Sequence, residues 1–167
     1  TAQIVQSYKD ARYIYQPNQG HGAARNTGID ASQGELLAFL DADDLWDSCK
    51  LSVQVSYLVD HPDIGYVVSG IRNFIEPGVE RPSWITEKML GDNAEGYSTC
   101  TLVVRRTVMD QIGAFDTSYA FATGVDWFLR ARDAGIPMVS LPDVLLYRRL
   151  HDTNRSREGQ AKALEYL

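Results

Sequence analysis

Three carboxylates follow a short apolar run in the first third of the chain. Asp41, Asp43 and Asp44 come directly after residues 36–40, which are all apolar. A run of this length favours a strand buried on both faces over a helix. Because ligands of open α/β sheets bind beyond the carboxyl ends of such strands, we expect the three carboxylates to border a binding cleft.

Asp41 and Asp43 have the spacing of a metal site. Alternate side chains of an extended segment point the same way, which predicts that the two carboxylates lie about 6–7 Å apart on one side. A divalent cation would relieve their repulsion, and Mg²⁺ or Mn²⁺, completed by substrate phosphates, suits these ligands best. The alternative is a solvated acidic turn in which Asp44 or Asp47 caps the next helix.

A glycine-rich segment upstream is a candidate anion site. Gly20 and Gly22 precede a helical pattern that continues to about residue 31. A glycine turn that opens a helix lets backbone N–H groups approach a phosphate closely. Arg25 would add a guanidinium for a phosphate or a base edge. The alternative is a flexible loop and an ordinary amphipathic helix with a surface arginine.

The composition indicates one ordinary globular domain. The 167 residues are 44% hydrophobic and carry a net charge of −6, so general electrostatic attraction to nucleic acid is not expected. Cys49 and Cys100 form neither a disulfide framework nor a Cys-x-x-Cys metal site. No apolar stretch approaches the roughly 20 residues of a membrane span. We therefore expect a cytoplasmic protein.

Two helices that follow the acidic segment have clear amphipathic patterns. The first is predicted to begin at Asp47 or Ser48 and to end before residue 61, and the second to cover residues 125–134 with Gly135 at its end. The residues predicted to face the core are Leu51, Val55, Leu58 and Val59 in the first helix, and Trp127, Phe128 and Ala131 in the second. A last helix is predicted from Asn154 or Ser156 to the end of the chain.

The remaining periodic segments are predicted to be strands. They cover residues 12–15, 36–40, 64–69, 98–104, 138–141 and 144–148. Residues 73–97 have no period and predict a long loop with substrate contacts. A basic patch follows the last strand and consists of Arg148, Arg149, His151, Arg155 and Arg157. The order of the elements predicts an α/β fold with a mixed, mostly parallel sheet.

Together these segments resemble the family 2 glycosyltransferases of the GT-A fold. The matching motifs lie in order along nearly the whole chain: Asn18-x-Gly20-x-Gly22-x-Ala24-Arg25-Asn26-x-Gly28, Gly34-Glu35, Phe39-Leu40-Asp41-Ala42-Asp43-Asp44-x-Trp46, Gly113-x-Phe115-Asp116, Asp126-Trp127-x-Leu129-Arg130 and Tyr147-Arg148-x-x-His151-x-x-Asn154-x-Ser156. The resemblance implies a GT-A-like (Rossmann-like) three-layer sandwich in a single domain. Residues 1–72 would form its nucleotide- and metal-binding part and residues 73–167 its acceptor side.

The resemblance also implies a donor site. Asp41-Ala42-Asp43 corresponds to the family's Asp-x-Asp motif, which binds Mn²⁺ or Mg²⁺ and the diphosphate of a nucleotide sugar. His151 matches a histidine that completes the metal site in several such enzymes, for which its imidazole must be neutral. Without the resemblance, His151 would be a surface histidine in a solvated patch. The other residues expected to bind the nucleotide sugar are Asn18, Gly20, Gly22, Arg25 and Asn26.

The implied activity is metal-dependent transfer of a sugar from a nucleotide-diphospho-sugar, expected to be a UDP-sugar, to an acceptor hydroxyl. The acceptor would be a glycan, a lipid-linked molecule or a protein, as in cell-surface polysaccharide or glycolipid synthesis. An inverting displacement needs a general base but no enzyme nucleophile. The acceptor could bring the chain to the inner face of the membrane as a peripheral protein.

The sequence departs from the family in two places. The first strands of the family's domain have no counterpart after Thr1, so we expect a sheet that is N-terminally incomplete and exposes an apolar edge. The Glu-Asp pair that normally provides the base corresponds to Thr123 and Gly124. Asp126 is the candidate surrogate base, with a helix N-cap as its alternative role. Asp116 is a weaker candidate that would more simply cap a loop.

Two other classes of function compete with this interpretation. A haloacid-dehalogenase-like phosphatase also has Asp-x-Asp after an apolar strand, but it would need the motif near the first strand of the domain and a suitably placed later lysine. The second alternative is a truncated or degenerate GT-A domain that binds a sugar or a partner without transferring anything. Turnover of a nucleotide sugar would exclude that alternative.

Overall fold

A six-stranded mixed sheet lies at the centre of the molecule. The structure, a computed structural model, describes residues 2–93 and 96–154. The strands are β1 (Leu36–Ala38), β2 (Leu45–Trp46), β3 (Tyr66–Phe74), β4 (Gly91–Asn93), β5 (Val103–Arg105) and β6 (Met138–Arg149). Their order is β1-β5-β3-β6-β2, and β4 pairs with β3 off this path.

The sheet is mixed, as predicted, but it is not mostly parallel. Among the pairings of the described strands, β3 and β6 run parallel, whereas β1–β5, β3–β5, β3–β4 and β2–β6 are antiparallel. The reason is that β5 enters the sheet between β1 and β3 and runs opposite to both. A hydrophobic run identifies a strand but does not specify its direction, which depends on the long-range pairing.

Five helices of the described residues accompany the sheet. They are α1 (Ala2–Gln6), α2 (Gly20–Ala31), α3 (Lys50–Asp60), α4 (Arg106–Ile112) and α5 (Thr123–Asp133), and a single 3₁₀ turn covers Glu87–Met89. Of these, α2, α4 and α5 pack on one face and α3 on the other. Alternate residues of β3 point to opposite faces. Tyr66 and Val68 pack in one core with α4 and α5, whereas Val67 packs in a second core with Leu58 of α3. This arrangement is the three-layer architecture that the sequence predicts.

Helix α5 confirms its amphipathic pattern. Trp127, Phe128 and Ala131 are buried, and the Trp127 ring meets the Tyr66 ring edge to face at 5.5 Å between centroids. The helix begins two residues earlier than predicted, at Thr123. Gly135 follows its end with φ +68°, a left-handed conformation that suits glycine.

Helix α3 confirms only part of the predicted inner face. Its buried side chains are Lys50, Gln54 and Leu58, whereas Leu51 is 46% exposed and Val59 is 69% exposed. The helix also begins at Lys50 and not at Asp47 or Ser48. Leu58 confirms the prediction, which was wrong for Leu51 and Val59. The observed face includes two polar side chains that have partners in the core.

Further boundaries differ from the prediction. Strand β1 ends at Ala38 and not at residue 40, and β3 covers Tyr66–Phe74 in place of residues 64–69. Residues 12–15 form no strand, residues 138–149 form one strand in place of two, and residues 98–101 form turns ahead of β5. The loop predicted at residues 73–97 contains the 3₁₀ turn and β4. The last predicted helix, together with Arg155, Ser156 and Arg157, lies outside the described residues. Within the described ranges, none of the helices combines the length and apolar character that crossing a membrane requires.

Candidate functional site

The three aspartates lie in a tight turn and not in an extended segment. The backbone N–H of Asp44 donates a hydrogen bond to the carbonyl oxygen of Asp41 (3.2 Å), and β2 follows at Leu45–Trp46. We call residues 41–44 the acidic turn. The extended spacing predicted for Asp41 and Asp43 is therefore wrong, because the chain reverses within the motif to pair β2 with β6.

Arg25 connects helix α2 to the acidic turn. Its guanidinium donates to Oδ1 of Asp41 at 2.7 Å, and its Cζ atom lies 5.8 Å from the centroid of the Phe115 ring. The Arg25 side chain is 13% exposed and that of Asp41 is 49% exposed. These contacts hold the guanidinium in one orientation next to an accessible carboxylate.

His151 reaches the acidic turn from the far end of β6. Its Nε2 lies 3.0 Å from Oδ2 of Asp43, and its Nδ1 lies 2.9 Å from Oγ1 of Thr153. The backbone N–H of His151 donates to Oδ1 of Asn154 at 2.6 Å. Asn154 is buried, so the local turn fixes the position of the imidazole beside Asp43.

Asp44 holds the turn against β6. Its Oδ1 accepts a hydrogen bond from the backbone N–H of Arg149 at 3.0 Å, and Nε of Arg149 donates to the carbonyl oxygen of Asp43 at 3.0 Å. Burial raises the pKa of Asp44 to about 6, with the neighbouring charges of Asp43 and Asp41 acting in the same direction. Asp44 therefore shapes the turn and does not cap α3, which begins without a side-chain cap.

Cys100 is the member of the site that the sequence did not indicate. Among the described residues, Asp41, Asp44 and Cys100 form the one group of metal-ligating types whose ligand atoms all lie within 4.8 Å of one another. Cys100 is buried, and burial raises its pKa to about 12, with Asp41 adding to the effect. No local signal could reveal it, since it lies in a turn that only the tertiary fold brings to the aspartates.

The three predicted ligands, Asp41, Asp43 and His151, thus belong to two separate groups of contacts. Asp43 faces His151 directly, whereas Asp41 faces Arg25, Asp44 and Cys100. Carboxylate oxygens and one imidazole nitrogen are donors that Mn²⁺ and Mg²⁺ accept. The chemistry of the donor set fits a hard divalent cation at the acidic turn.

The glycine-rich segment supports the site mainly through packing. Oδ1 of Asn18 accepts the N–H of Gly20 at 3.1 Å, and Gly20 has φ +88°. A Cβ at Gly22 would lie 3.0 Å from the methyl group of Thr123, so α2 and α5 touch there. The side chain of Asn26 exchanges two hydrogen bonds with the backbone of Phe115. Asn26 thus fixes α2 on the loop before α5.

A cleft of about 410 Å³ opens between α2 and the end of β1. It is bounded on one side by Arg25 and on the other by residues 37–42, which include Asp41 and Ala42. A cleft of this size can hold part of a nucleotide. The Arg25–Asp41 ion pair lies in its wall, so a ligand in the cleft would meet both charges.

Asp126 lies in the first turn of α5 and is bound to Arg130. Oδ2 of Asp126 accepts Nε of Arg130 at 2.9 Å, and the same guanidinium donates to the carbonyl oxygens of Ile112 (2.6 Å) and Ala114 (2.9 Å). Oδ1 of Asp116 accepts the N–H of Ser118 at 2.8 Å, and hydrogen bonds from Ser118 lower the pKa of Asp116. Asp116 therefore caps its loop.

Thr123 and Gly124 correspond to the family's Glu-Asp pair, and both contact other segments of the chain. Thr123 is buried, and its Oγ1 lies 2.9 Å from Nε2 of His21. A Cβ at Gly124 would lie 3.0 Å from the methyl group of Thr99. Neither residue supplies a carboxylate, so Asp126 remains the predicted base of this helix.

The sequence is similar to that of known glycosyltransferases. Glycosyltransferase AglE of Haloferax volcanii is 32% identical over 143 residues, which cover 79% of this chain and 45% of that protein. An uncharacterized glycosyltransferase of Rickettsia typhi is 28% identical over 182 residues, covering 99% of this chain and 56% of that protein. The chain spans about half the length of these curated relatives.

The fold is similar to that of solved glycosyltransferases. S. aureus TarS 1-349 in complex with UDP matches with a TM-score of 0.66 at 18% identity, covering 90% of this chain and 47% of that one. The mannosyltransferase PcManGT from Pyrobaculum calidifontis, in complex with GDP-Man and Mn²⁺, matches with a TM-score of 0.61 at 20% identity, covering 98% and 50%. These matches establish the GT-A-like fold.

The family match covers the part of the chain that contains the acidic turn. A model described as glycosyl transferase family 2 matches residues 1–120, a range that includes Arg25, Asp41, Asp43 and Cys100. Sequence, relatives and fold agree in this assignment. The chain belongs to glycosyl transferase family 2.

Proposed function

We propose that this chain transfers a sugar from a nucleotide-diphospho-sugar, of which a UDP-sugar is the first candidate, to an acceptor hydroxyl. One observation carries the proposal: Arg25 from α2 and His151 from beyond β6 converge on the acidic turn, on Asp41 and Asp43 respectively. A guanidinium and an imidazole that converge on neighbouring carboxylates beside a cleft suit a site for a metal ion and a diphosphate. The complexes of TarS with UDP and of PcManGT with GDP-Man support this ligand class.

Asp41, Asp43 and His151 are the proposed ligands of Mn²⁺ or Mg²⁺. The two carboxylates are about half exposed, and Asp41 lines the cleft. When bound, the cation would neutralise the charge that develops on the diphosphate leaving group. His151 must be neutral to ligate. The PcManGT complex, which contains Mn²⁺, supports this choice of metal.

The remaining residues of the chain bind and orient the donor. Arg25 contacts a phosphate or the nucleotide with a guanidinium that Asp41 and Phe115 already hold in place. Asn18, Gly20 and Gly22 shape the N-terminus of α2, and Ala42 lines the cleft. Asn26 acts indirectly, because its hydrogen bonds hold the backbone of Phe115, whose ring lies beside Arg25.

Asp126 is the proposed base of an inverting displacement. Arg130 holds Oδ2 of Asp126, and the other oxygen, Oδ1, would accept the proton of the acceptor hydroxyl. In this division of labour, residues 1–72 form the donor side and residues 73–167 form the acceptor side, from which His151 returns to the donor site. A glycan, lipid-linked or protein acceptor at the cytoplasmic face of a membrane would suit polysaccharide or glycolipid synthesis.

Calorimetric titration of UDP, with and without Mn²⁺, tests the donor site. We expect binding that requires the metal in the wild-type chain and its loss in Asp43→Ala. Asp133→Ala is a matched control, because Asp133 is an exposed aspartate whose partner is its neighbour Arg132. Unchanged binding in Asp43→Ala would refute the metal assignment.

A binding role without transfer is the second candidate function. The observation that favours it is that Thr123 and Gly124 stand at the two positions where the family has carboxylates. Thr123 is hydrogen-bonded to His21, and Gly124 packs against Thr99. The two functions differ in turnover. Release of UDP from a UDP-sugar, dependent on an acceptor and on Mn²⁺, would exclude a binding role alone.

A further inference from the structure

Lys50 is a fully buried lysine that contacts no carboxylate among the residues that the structure describes. It is the first residue of α3 and is 0% exposed. Its Nζ donates to Oε1 of Gln54, lies 3.4 Å from the carbonyl oxygen of Thr101 and stands 4.7 Å from the centroid of the Trp46 ring. Burial of an ammonium group is costly unless hydrogen bonds compensate it. Accordingly, burial lowers the pKa of Lys50 to about 8.

The contacts of Lys50 belong to a set of three side chains that hold two consecutive carbonyl groups. Nε1 of Trp46 donates to the carbonyl oxygen of Cys100 at 3.0 Å. Nε2 of Gln54 donates to that of Thr101 at 2.9 Å, the same oxygen that Lys50 approaches. We call Trp46, Lys50 and Gln54 the buried anchor. All three come from the chain that directly follows the acidic turn.

The anchored segment, residues 98–101, links the two halves of the proposed active site. Cys100 places its sulfur within 4.8 Å of carboxylate oxygens of Asp41 and Asp44. The methyl group of Thr99 lies against Gly124 in the first turn of α5, the helix that carries Asp126. A shift of this segment would therefore move both the support of the acidic turn and the N-terminus of α5.

Stability of the fold is a poor explanation for a lysine at this position. Replacing buried ionic groups with apolar side chains of similar volume is often neutral or stabilising, and a methionine would fill the same space. A methionine lacks the N–H donors and the positive charge of Lys50, which face the carbonyl oxygen of Thr101 and the ring of Trp46. The specific contribution of Lys50 is therefore to hold Gln54 and the carbonyl group of Thr101 in place.

We propose that Lys50 is a positioning residue of the donor site, which holds residues 98–101 beneath the acidic turn and thereby sets the geometry of Asp41 and Asp44. This inference rests on the proposed function where it concerns the nucleotide, but the placement of residues 98–101 can be tested without any ligand. Lys50→Met is the informative variant. Lys88→Met is its control, since Lys88 is exposed.

The first test measures how fast a maleimide reacts with the thiol of Cys100. All proteins carry Cys49→Ser, because Cys49 is exposed and Cys100 is the other cysteine of the chain. We expect Lys50→Met to react at least about tenfold faster than the parent and Lys88→Met to react at the parental rate. Lys50 and Cys100 interact electrostatically, and removing a nearby positive charge would by itself slow the thiol. Faster labelling therefore reports release of the segment.

The urea midpoint of unfolding is measured on the same proteins. Faster labelling at an unchanged or higher midpoint supports the proposal, because it shows local opening and not global destabilisation. An unchanged labelling rate in Lys50→Met would overturn it. A rate increase fully accounted for by a lower midpoint would overturn it as well. Gln54→Met, which removes a second donor to Thr101, is expected to change the labelling in the same direction.

The second test measures UDP affinity in the presence of Mn²⁺. We expect about tenfold weaker binding in Lys50→Met and parental binding in Lys88→Met. Parental affinity in Lys50→Met would overturn the role in the donor site. If the parent itself fails to bind UDP with Mn²⁺, the proposed function fails, and the labelling experiment still decides whether Lys50 positions residues 98–101.

Discussion

Nε2 of His151 lies 3.0 Å from Oδ2 of Asp43, although 108 positions separate the two residues in the chain. The contact is possible because β6 pairs with β2 on one side and with β3 on the other, so its end arrives beside the acidic turn. The site is therefore assembled from four separate parts of the chain: α2, the acidic turn, the turn at Cys100 and the residues after β6.

His151→Ala tests this long-range contact. We expect the Mn²⁺-dependent affinity for UDP to fall at least about tenfold, since loss of a group that ligates or orients a metal site typically costs roughly 10- to 100-fold. Calorimetry measures the change. His61→Ala is the control, because the His61 ring stacks on Tyr57 at the end of α3. Equal losses in the two variants would argue against a metal role for His151.

Arg25→Lys tests whether the donor site needs a guanidinium or only a positive charge. Arg25 reaches Asp41 at 2.7 Å and also lies over the Phe115 ring. A lysine ammonium cannot reproduce both the fork geometry and the ring contact. We expect about tenfold weaker UDP binding by calorimetry, whereas Arg132→Lys should bind like the wild type. Wild-type affinity in Arg25→Lys would show that the charge is sufficient.

Asp126→Asn separates binding from turnover. The substitution keeps the size of the side chain and an oxygen for Arg130, but removes a base, so we expect UDP affinity to persist while kcat falls at least about 100-fold. The measurement is acceptor-dependent release of UDP from a UDP-sugar. Asp133→Asn should keep full turnover. Full turnover in Asp126→Asn would instead assign Asp126 to holding Arg130.

Lys50→Met should change how stability depends on pH. The pKa of Lys50 falls from 10.5 to about 8 on folding, so between these values the unfolded chain binds more protons than the folded chain. Raising the pH through this window therefore stabilises the wild type relative to Lys50→Met, by roughly 3 kcal/mol in all. Urea unfolding of both proteins at several pH values across this window measures the difference. A constant difference would contradict the lowered pKa.

Two glycines of α2 should respond to alanine in opposite ways. A Cβ at Gly28 would meet no atom within 4 Å, so Gly28→Ala should stabilise the chain by about 0.5–1 kcal/mol through helix propensity. A Cβ at Gly22 would lie 3.0 Å from the Thr123 methyl group, and we expect Gly22→Ala to lower stability. Urea unfolding tests both. A stabilising Gly22→Ala would mean that the Thr123 side chain moves aside at little cost in free energy.

The sequence predicted well where one local pattern determines the structure. The inward faces of Trp127, Phe128 and Ala131 follow from helical period alone, and α5 confirms them. In α3 the same rule was right for Leu58 but missed Lys50 and Gln54, which lie on the core face. Their burial depends on the carbonyl oxygen of Thr101, a partner that no pattern near Lys50 indicates.

The candidate site shows the same limit. The aspartates and Arg25 were identified from residue type and context, and His151 from the resemblance to the family. The turn at Asp41 and Asp44, and the approach of Cys100, depend on how β2 and β5 enter the sheet. Strand direction is a property of pairings between distant segments, so neither could be deduced from the chain read in order.

The arrival of β6 beside the acidic turn has a consequence for biosynthesis. The ribosome makes Asp43 and Asp44 about one hundred residues before Arg149 and His151, the partners that hold them. Because pairings this distant in sequence form late, the donor site should be completed only after β6 has left the exit tunnel and entered the sheet. Nascent chains that stop before this strand would carry the three acids without those two partners, and ligand binding could not assist folding until synthesis has passed His151.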